Sequence, residues 1–104
     1  MSKCTEKYYI EDDEWDVMPC LLNSAKAGIA LCKFQNRYLY AFGGDNGAQK
    51  GNIVSDIERL DLYEEEEVKK WDLIYIKQKE VTSPFAYAIG LPIDDARILI
   101  VGGR

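Results

Sequence analysis

Apolar residues in this chain fall into short runs, each closed by a turn signal. Tyr38-Leu39-Tyr40-Ala41-Phe42 runs into Gly43-Gly44, and 59 positions later Ile98-Leu99-Ile100-Val101 runs into Gly102-Gly103. With the doublets aligned, Ala27-Gly28-Ile29-Ala30-Leu31-Cys32 lies over Ala86-Tyr87-Ala88-Ile89-Gly90-Leu91, and Gln35-Asn36 lies over Asp94-Asp95. Two short β-prone runs around a turn-forming pair predict a hairpin, so each unit reads as strand, tight turn, strand, Gly-Gly.

A second element recurs. Trp15 stands 28 residues before Gly43, and Trp71 stands 31 before Gly102. Each follows an acidic stretch and opens an apolar segment, Trp15-Asp16-Val17-Met18 and Trp71-Asp72-Leu73-Ile74-Tyr75-Ile76. Upstream lie further apolar runs, Tyr8-Tyr9-Ile10 and Ile57 to Tyr63. The pattern predicts eight strands from a four-strand unit that starts halfway through. Such repeats stack and bury a shared core.

The stretch 55–70 carries two signals. Ser55-Asp56-Ile57-Glu58 fits the S-x-x-E capping box, Glu64 to Lys70 favours helix by propensity, and Ile57, Leu60, Val68 and Trp71 share a helical face. Against this, Glu64 and Glu67 interrupt the stripe, and the repeat register puts a strand pair here. A strand hairpin with a long acidic turn and a helical turn both stay open.

Tyr38 to Gly44, then Ile57-Glu58-Arg59-Leu60-Asp61, then Trp71 resemble the kelch repeat: a strand ending in Gly-Gly, an E-R-Y-D-like strand and a Trp on the fourth strand. Trp15, Met18 and Pro19 resemble its W-x-x-M-P ending. The resemblance implies an all-β, kelch-type β-propeller segment, one complete four-stranded blade flanked by two half-blades. The implied bounds are about 5–25 for the second half of a blade, 26–77 for the complete blade and 82–104 for the first half of the next. Gly43, Gly44, Trp15, Trp71, Gly102, Gly103, Glu58, Arg59 and Asp61 are then structural residues. The chain departs from the pattern at Lys26, where Arg is frequent, at Leu60, where Tyr is usual, and in the long turn from Asp61 to Trp71.

Composition narrows the function classes. The chain has 104 residues, 47% of them apolar, which fits one globular domain or part of one. Lys and Arg number 13 against 18 Asp and Glu, a net charge of −5 without a basic patch, which disfavours nucleic acid. Three cysteines without a C-x-x-C pair, and no histidine, give no expected metal site, cofactor or catalytic constellation. Asp12-Asp13 and Asp94-Asp95 read as turn formers and the tyrosines as strand residues. No apolar leader follows Met1-Ser2-Lys3 and no run approaches the ~20 residues of a membrane span. We therefore expect no membrane partner and a reducing, cytoplasmic setting.

The expected role is a non-catalytic protein–protein interaction or scaffolding module. Glu64, Glu65, Glu66 and Glu67 form the candidate surface for a basic protein partner, set against the plainer reading of a solvated turn. The alternatives are a structural subunit of a large, for example cytoskeletal, assembly, or a fragment of a kelch-type enzyme acting on a sugar or small molecule. Two blades' worth of strands do not close a propeller. The missing strands are expected from the rest of a longer chain, or from other copies that complete each other's blades head to tail.

Overall fold

A computed structural model describes residues 3–47, 53–65, 67, 69–74 and 86–103, the Pro19 side chain excepted. These residues form eight strands: β1 (Cys4–Tyr9), β2 (Glu14–Leu21), β3 (Ala30–Phe34), β4 (Tyr38–Phe42), β5 (Ile57–Asp61), β6 (Trp71–Ile74), β7 (Ala88–Pro92) and β8 (Ile98–Gly102). All pairings are antiparallel, in three sheets of order β1-β2, β3-β4-β5-β6 and β7-β8. There is no helix among the described residues, and so none long and apolar enough to cross a membrane.

Strict alternation makes β3 a strand. Ala30, Cys32 and Phe34 are buried while Leu31 and Lys33 are exposed. Gln35 and Asn36, both with positive φ (56° and 52°), turn the chain into β4. The register pairs Phe34 with Tyr38, so Gln35, Asn36 and Arg37 form a three-residue connection, with the Arg37 N–H donating to the Phe34 carbonyl at 3.2 Å.

The helical reading of 55–70 gives way to strand over Ile57–Asp61, which pairs with β4 on one side and β6 on the other. The period decides it. Glu58 and Leu60 are both buried on one face of the sheet, as residues two apart in a strand must be and in a helix cannot be. Glu66 and Val68 lie outside the described residues.

The central sheet is packed on both faces. On one face, Met18, Cys20 and Leu22 of the first sheet meet Ala41, Leu60 and Trp71. Trp71 Nε1 also donates to Thr5 Oγ1 at 2.9 Å, tying β6 to β1. On the other face, β7 lies against β3. There a Cβ on Gly90 would sit 3.3 Å from the Cys32 Cβ, so the absent side chain lets the third sheet approach. The three sheets thus stack in series, with no described strand packed on either outer face. Ile89 and Leu91 on β7, with Leu99 and Val101 on β8, face outward and are exposed.

The two tryptophans part company here. Trp71 is 6% exposed in the core, whereas Trp15 is 68% exposed and rests against the Tyr8 ring, 4.9 Å away between centroids. Trp15 stands at the register position that Trp71 holds in the central sheet. It occupies the face of the first sheet turned away from the central one, and no described residue covers that face.

Both glycine doublets adopt left-handed backbone, with φ of 66° and 117° at Gly43 and Gly44 and 82° and 92° at Gly102 and Gly103. Gly44 is also crowded: a Cβ there would lie 3.0 Å from the Ile29 side chain and 3.1 Å from the Ala27 carbonyl oxygen. Gly44→Ala is therefore expected to cost ~1–3 kcal/mol of backbone strain. Urea unfolding should show a lower midpoint at unchanged slope, and an unaltered midpoint would refute the assignment.

Candidate functional site

Two hydrogen bonds gather three loops at one end of the stack. The Leu62 N–H donates to the Arg37 carbonyl at 2.7 Å, joining the β5–β6 connection to the β3–β4 turn. Gln35 Nε2 donates to the Asp95 carbonyl at 2.7 Å, joining that turn to the β7–β8 turn. Glu64, Glu65 and Glu67 are exposed on the β5–β6 connection, beside an exposed Tyr63, while Glu66 lies outside the described residues.

The arginines of this end are already engaged. Arg37 grips Asp61 with two hydrogen bonds, Nε to Oδ1 at 3.1 Å and Nη2 to Oδ2 at 2.9 Å. Its guanidinium also lies 5.1 Å from the Tyr38 ring and 5.5 Å from that of Tyr63. Asp61 further accepts the Tyr63 N–H. The Arg37 and Tyr63 hydrogen bonds hold the Asp61 carboxyl below its ordinary range. Asp94 is held low in the same way, by Arg97 and the Ala96 N–H. Arg37 and Arg97 are paired with Asp61 and Asp94, and the exposed glutamates share the β5–β6 connection with Lys69 and Lys70.

A second cluster lies wholly inside. Lys26 Nζ meets Glu58 Oε2 at 2.9 Å, and both side chains are completely buried. Neither atom has another hydrogen-bond partner among the described residues, so each charge depends on the other. The remaining oxygen, Oε1, accepts the Asn23 backbone N–H at 2.7 Å and its side-chain Nδ2 at 2.8 Å. Asn23 Nδ2 also donates to the Trp71 carbonyl at 3.0 Å. Burial alone would raise the Glu58 pKa, but the hydrogen bonds from Asn23 and Lys26 outweigh it and leave the carboxyl below its ordinary value.

Glu58, Arg59 and Asp61, adjacent in sequence, thus serve three different ends. Glu58 anchors the interior. Arg59, on the opposite face, lies 4.7 Å from the Tyr38 ring beside a ladder of Phe34, Tyr40 and Phe42. Asp61 fixes the β3–β4 turn through Arg37. Sequence reasoning missed Asn23 altogether. Lys26 stood out only as a departure from a pattern, without its partner.

Two further features bear on chemistry. Burial pushes the Cys32 thiol up, which keeps it protonated and poorly nucleophilic. An open groove of about 560 Å³ runs beside β1, floored by Met18, Leu39, Leu60 and Leu62 and bordered by Thr5 and Lys7. No protein-family model matches the chain, and no curated protein matches it.

The ion pair yields two expectations. Lys26→Met leaves Glu58 buried without its cation and should cost ~3–5 kcal/mol, measured by urea unfolding, whereas Lys26→Met with Glu58→Met should recover much of that loss. Because the folded Glu58 carboxyl lies below its ordinary value of 4.5, its stabilisation is complete above that pH. It disappears as the pH falls through the lower, folded value. Unfolding midpoints of the parent should therefore drop more steeply than those of Glu58→Gln across this acid window. Parallel curves would contradict the pairing.

Proposed function

We propose that this chain is a segment of a kelch-type β-propeller, one blade flanked by two half-blades, acting as a non-catalytic protein-interaction or scaffolding module. The observation that carries the reading is the stacking of sheets of two, four and two strands, all presenting the same side to their neighbour. Propeller blades are four-stranded sheets set around an axis, so adjacent blades lie closest at their innermost strands. The approach of β7 to β3, the first strands of their sheets, supports that arrangement. The Trp71–Thr5 bond supports it too, since it ties β6 of the central sheet to β1, the strand that matches β5 in the repeat register.

The interaction role follows from the loop end. Loops on a rigid scaffold are where such folds bind. The acidic β5–β6 connection suits a partner that presents lysine and arginine. Association would be driven by charge and weakened by salt.

A fluorescent Lys/Arg-rich peptide titrated with the chain tests this by anisotropy. Replacing Glu64, Glu65, Glu66 and Glu67 together with Gln should weaken binding by about tenfold, four exposed charges contributing roughly 0.3–0.5 kcal/mol each. Equal affinity for parent and variant, both folded by circular dichroism, would remove the acidic turn as the partner surface.

A further inference from the structure

Two incomplete surfaces at opposite ends of the stack match each other. Among the described residues β1 pairs only with β2, and β8 only with β7, so each has an unpaired long edge. Beside the free edge of β1 lies the groove floored by Leu39 and Leu62, and Leu31 on the same face of the central sheet is 52% exposed. The first sheet has two strands where the central one has four, and so it covers only part of the face it packs on. At the far end, Leu99 and Val101 of β8 are exposed and aligned on one side of their strand. No residue of β8 carries a charge.

We infer that the groove beside β1 is a strand-addition site, and that its occupant is the β7–β8 hairpin of a second copy of this chain. The inference rests on the propeller reading for the common facing of the sheets.

The chain contains its own template for the joint. Within the central sheet β4 pairs antiparallel with β5, Tyr40 opposite Arg59. The 59-residue offset between the glycine doublets carries Tyr40 onto Leu99. The register of the outer strands carries Arg59 onto Lys7, because Leu60 faces Trp71 as Tyr8 faces Trp15, and Arg59 faces Asp72 as Lys7 faces Asp16. β8 of one copy laid along β1 of the next therefore pairs Leu99 with Lys7 and Val101 with Thr5. In that register Leu99 and Val101 turn down onto Leu31 and Leu39. Tyr40 and Phe42 have the same orientation in the central sheet, on the face that the third sheet approaches through β7 and β3.

Main-chain hydrogen bonds along the two edges that no described strand pairs with supply affinity, and the alternating apolar side chains supply register. Because the two surfaces differ, the contact is head to tail. It propagates, or closes into a ring. Each copy carries a net charge of −5, so the contact forms best in salt that screens this repulsion.

Disulfide trapping tests the register. In a Cys4→Ser background, which removes the exposed thiol, L99C on one copy is mixed with K7C on another under mild oxidation. A disulfide-linked dimer is expected. L99C mixed with E6C should give none, because Glu6 lies on the opposite side of β1. Equal linking by K7C and E6C, or no linking between folded proteins, overturns the inference. Two copies joined end to end then distinguish the failures. A higher urea midpoint for the joined chain than for the single chain leaves the propeller reading standing without docking between free copies. An equal midpoint removes both.

Discussion

Removing a lysine and a glutamate from water costs several kcal/mol per ion, which their mutual attraction recovers only when geometry and further hydrogen bonds are favourable. The Lys26–Glu58 pair meets that condition because Asn23 fills the second carboxylate oxygen. Lys26 and Asn23 sit on the link between the first and central sheets, Glu58 on a central strand. The pair therefore fixes where the link crosses the sheet. Other features follow from that crossing. Asn23 reaches the Trp71 carbonyl, Trp71 fills the space between the sheets, and the Lys26 stem packs against Gly44, 3.2 Å from where a Cβ would stand.

Once the crossing is set, the environment of each residue depends on how many strands lie over it. Cys32 and Leu31 are neighbours on β3, yet Cys32 is 4% exposed beneath the third sheet while Leu31 faces a region the two-stranded first sheet does not reach. Trp15 and Trp71 occupy corresponding register positions and differ for the same reason. Exposure here is a property of the neighbouring sheet, not of the residue's own strand.

That dependence explains what the sequence made legible. Both hairpins, their turns and the glycine doublets were readable because alternation and turn chemistry are local. Gln35-Asn36 and Gly43-Gly44 need only their own φ angles to act. The stretch 55–70 was ambiguous because its local signals, a capping-box pattern and helix-favouring glutamates, competed with a long-range one. Glu58 resolved it by pairing with Lys26, a contact that no local pattern encodes. The exposure of Glu64, Glu65 and Glu67 was legible, since a charge run in a turn is solvated by default. Asn23 was invisible, because an asparagine in a linker looks the same whether or not a buried carboxylate waits for it.

Both ends of the stack expose apolar residues, Trp15 and Val17 on one side and Ile89, Leu91, Leu99 and Val101 on the other, while Ile10, Leu31 and Tyr63 are exposed elsewhere. Charge collects on the loop end, where Glu64, Glu65 and Glu67 lie next to arginines already committed to Asp61 and Asp94. The two respond to different forces: burial of the apolar ends is promoted by salt that screens like-charged copies, whereas attraction at the acidic loops is weakened by it. A contact made through the stack ends therefore leaves the acidic loops open. A basic partner on the loops need not disturb strand pairing. On the proposed reading as a scaffold, extending the stack would multiply the acidic loops without altering any one of them, so valency would be the quantity that assembly controls.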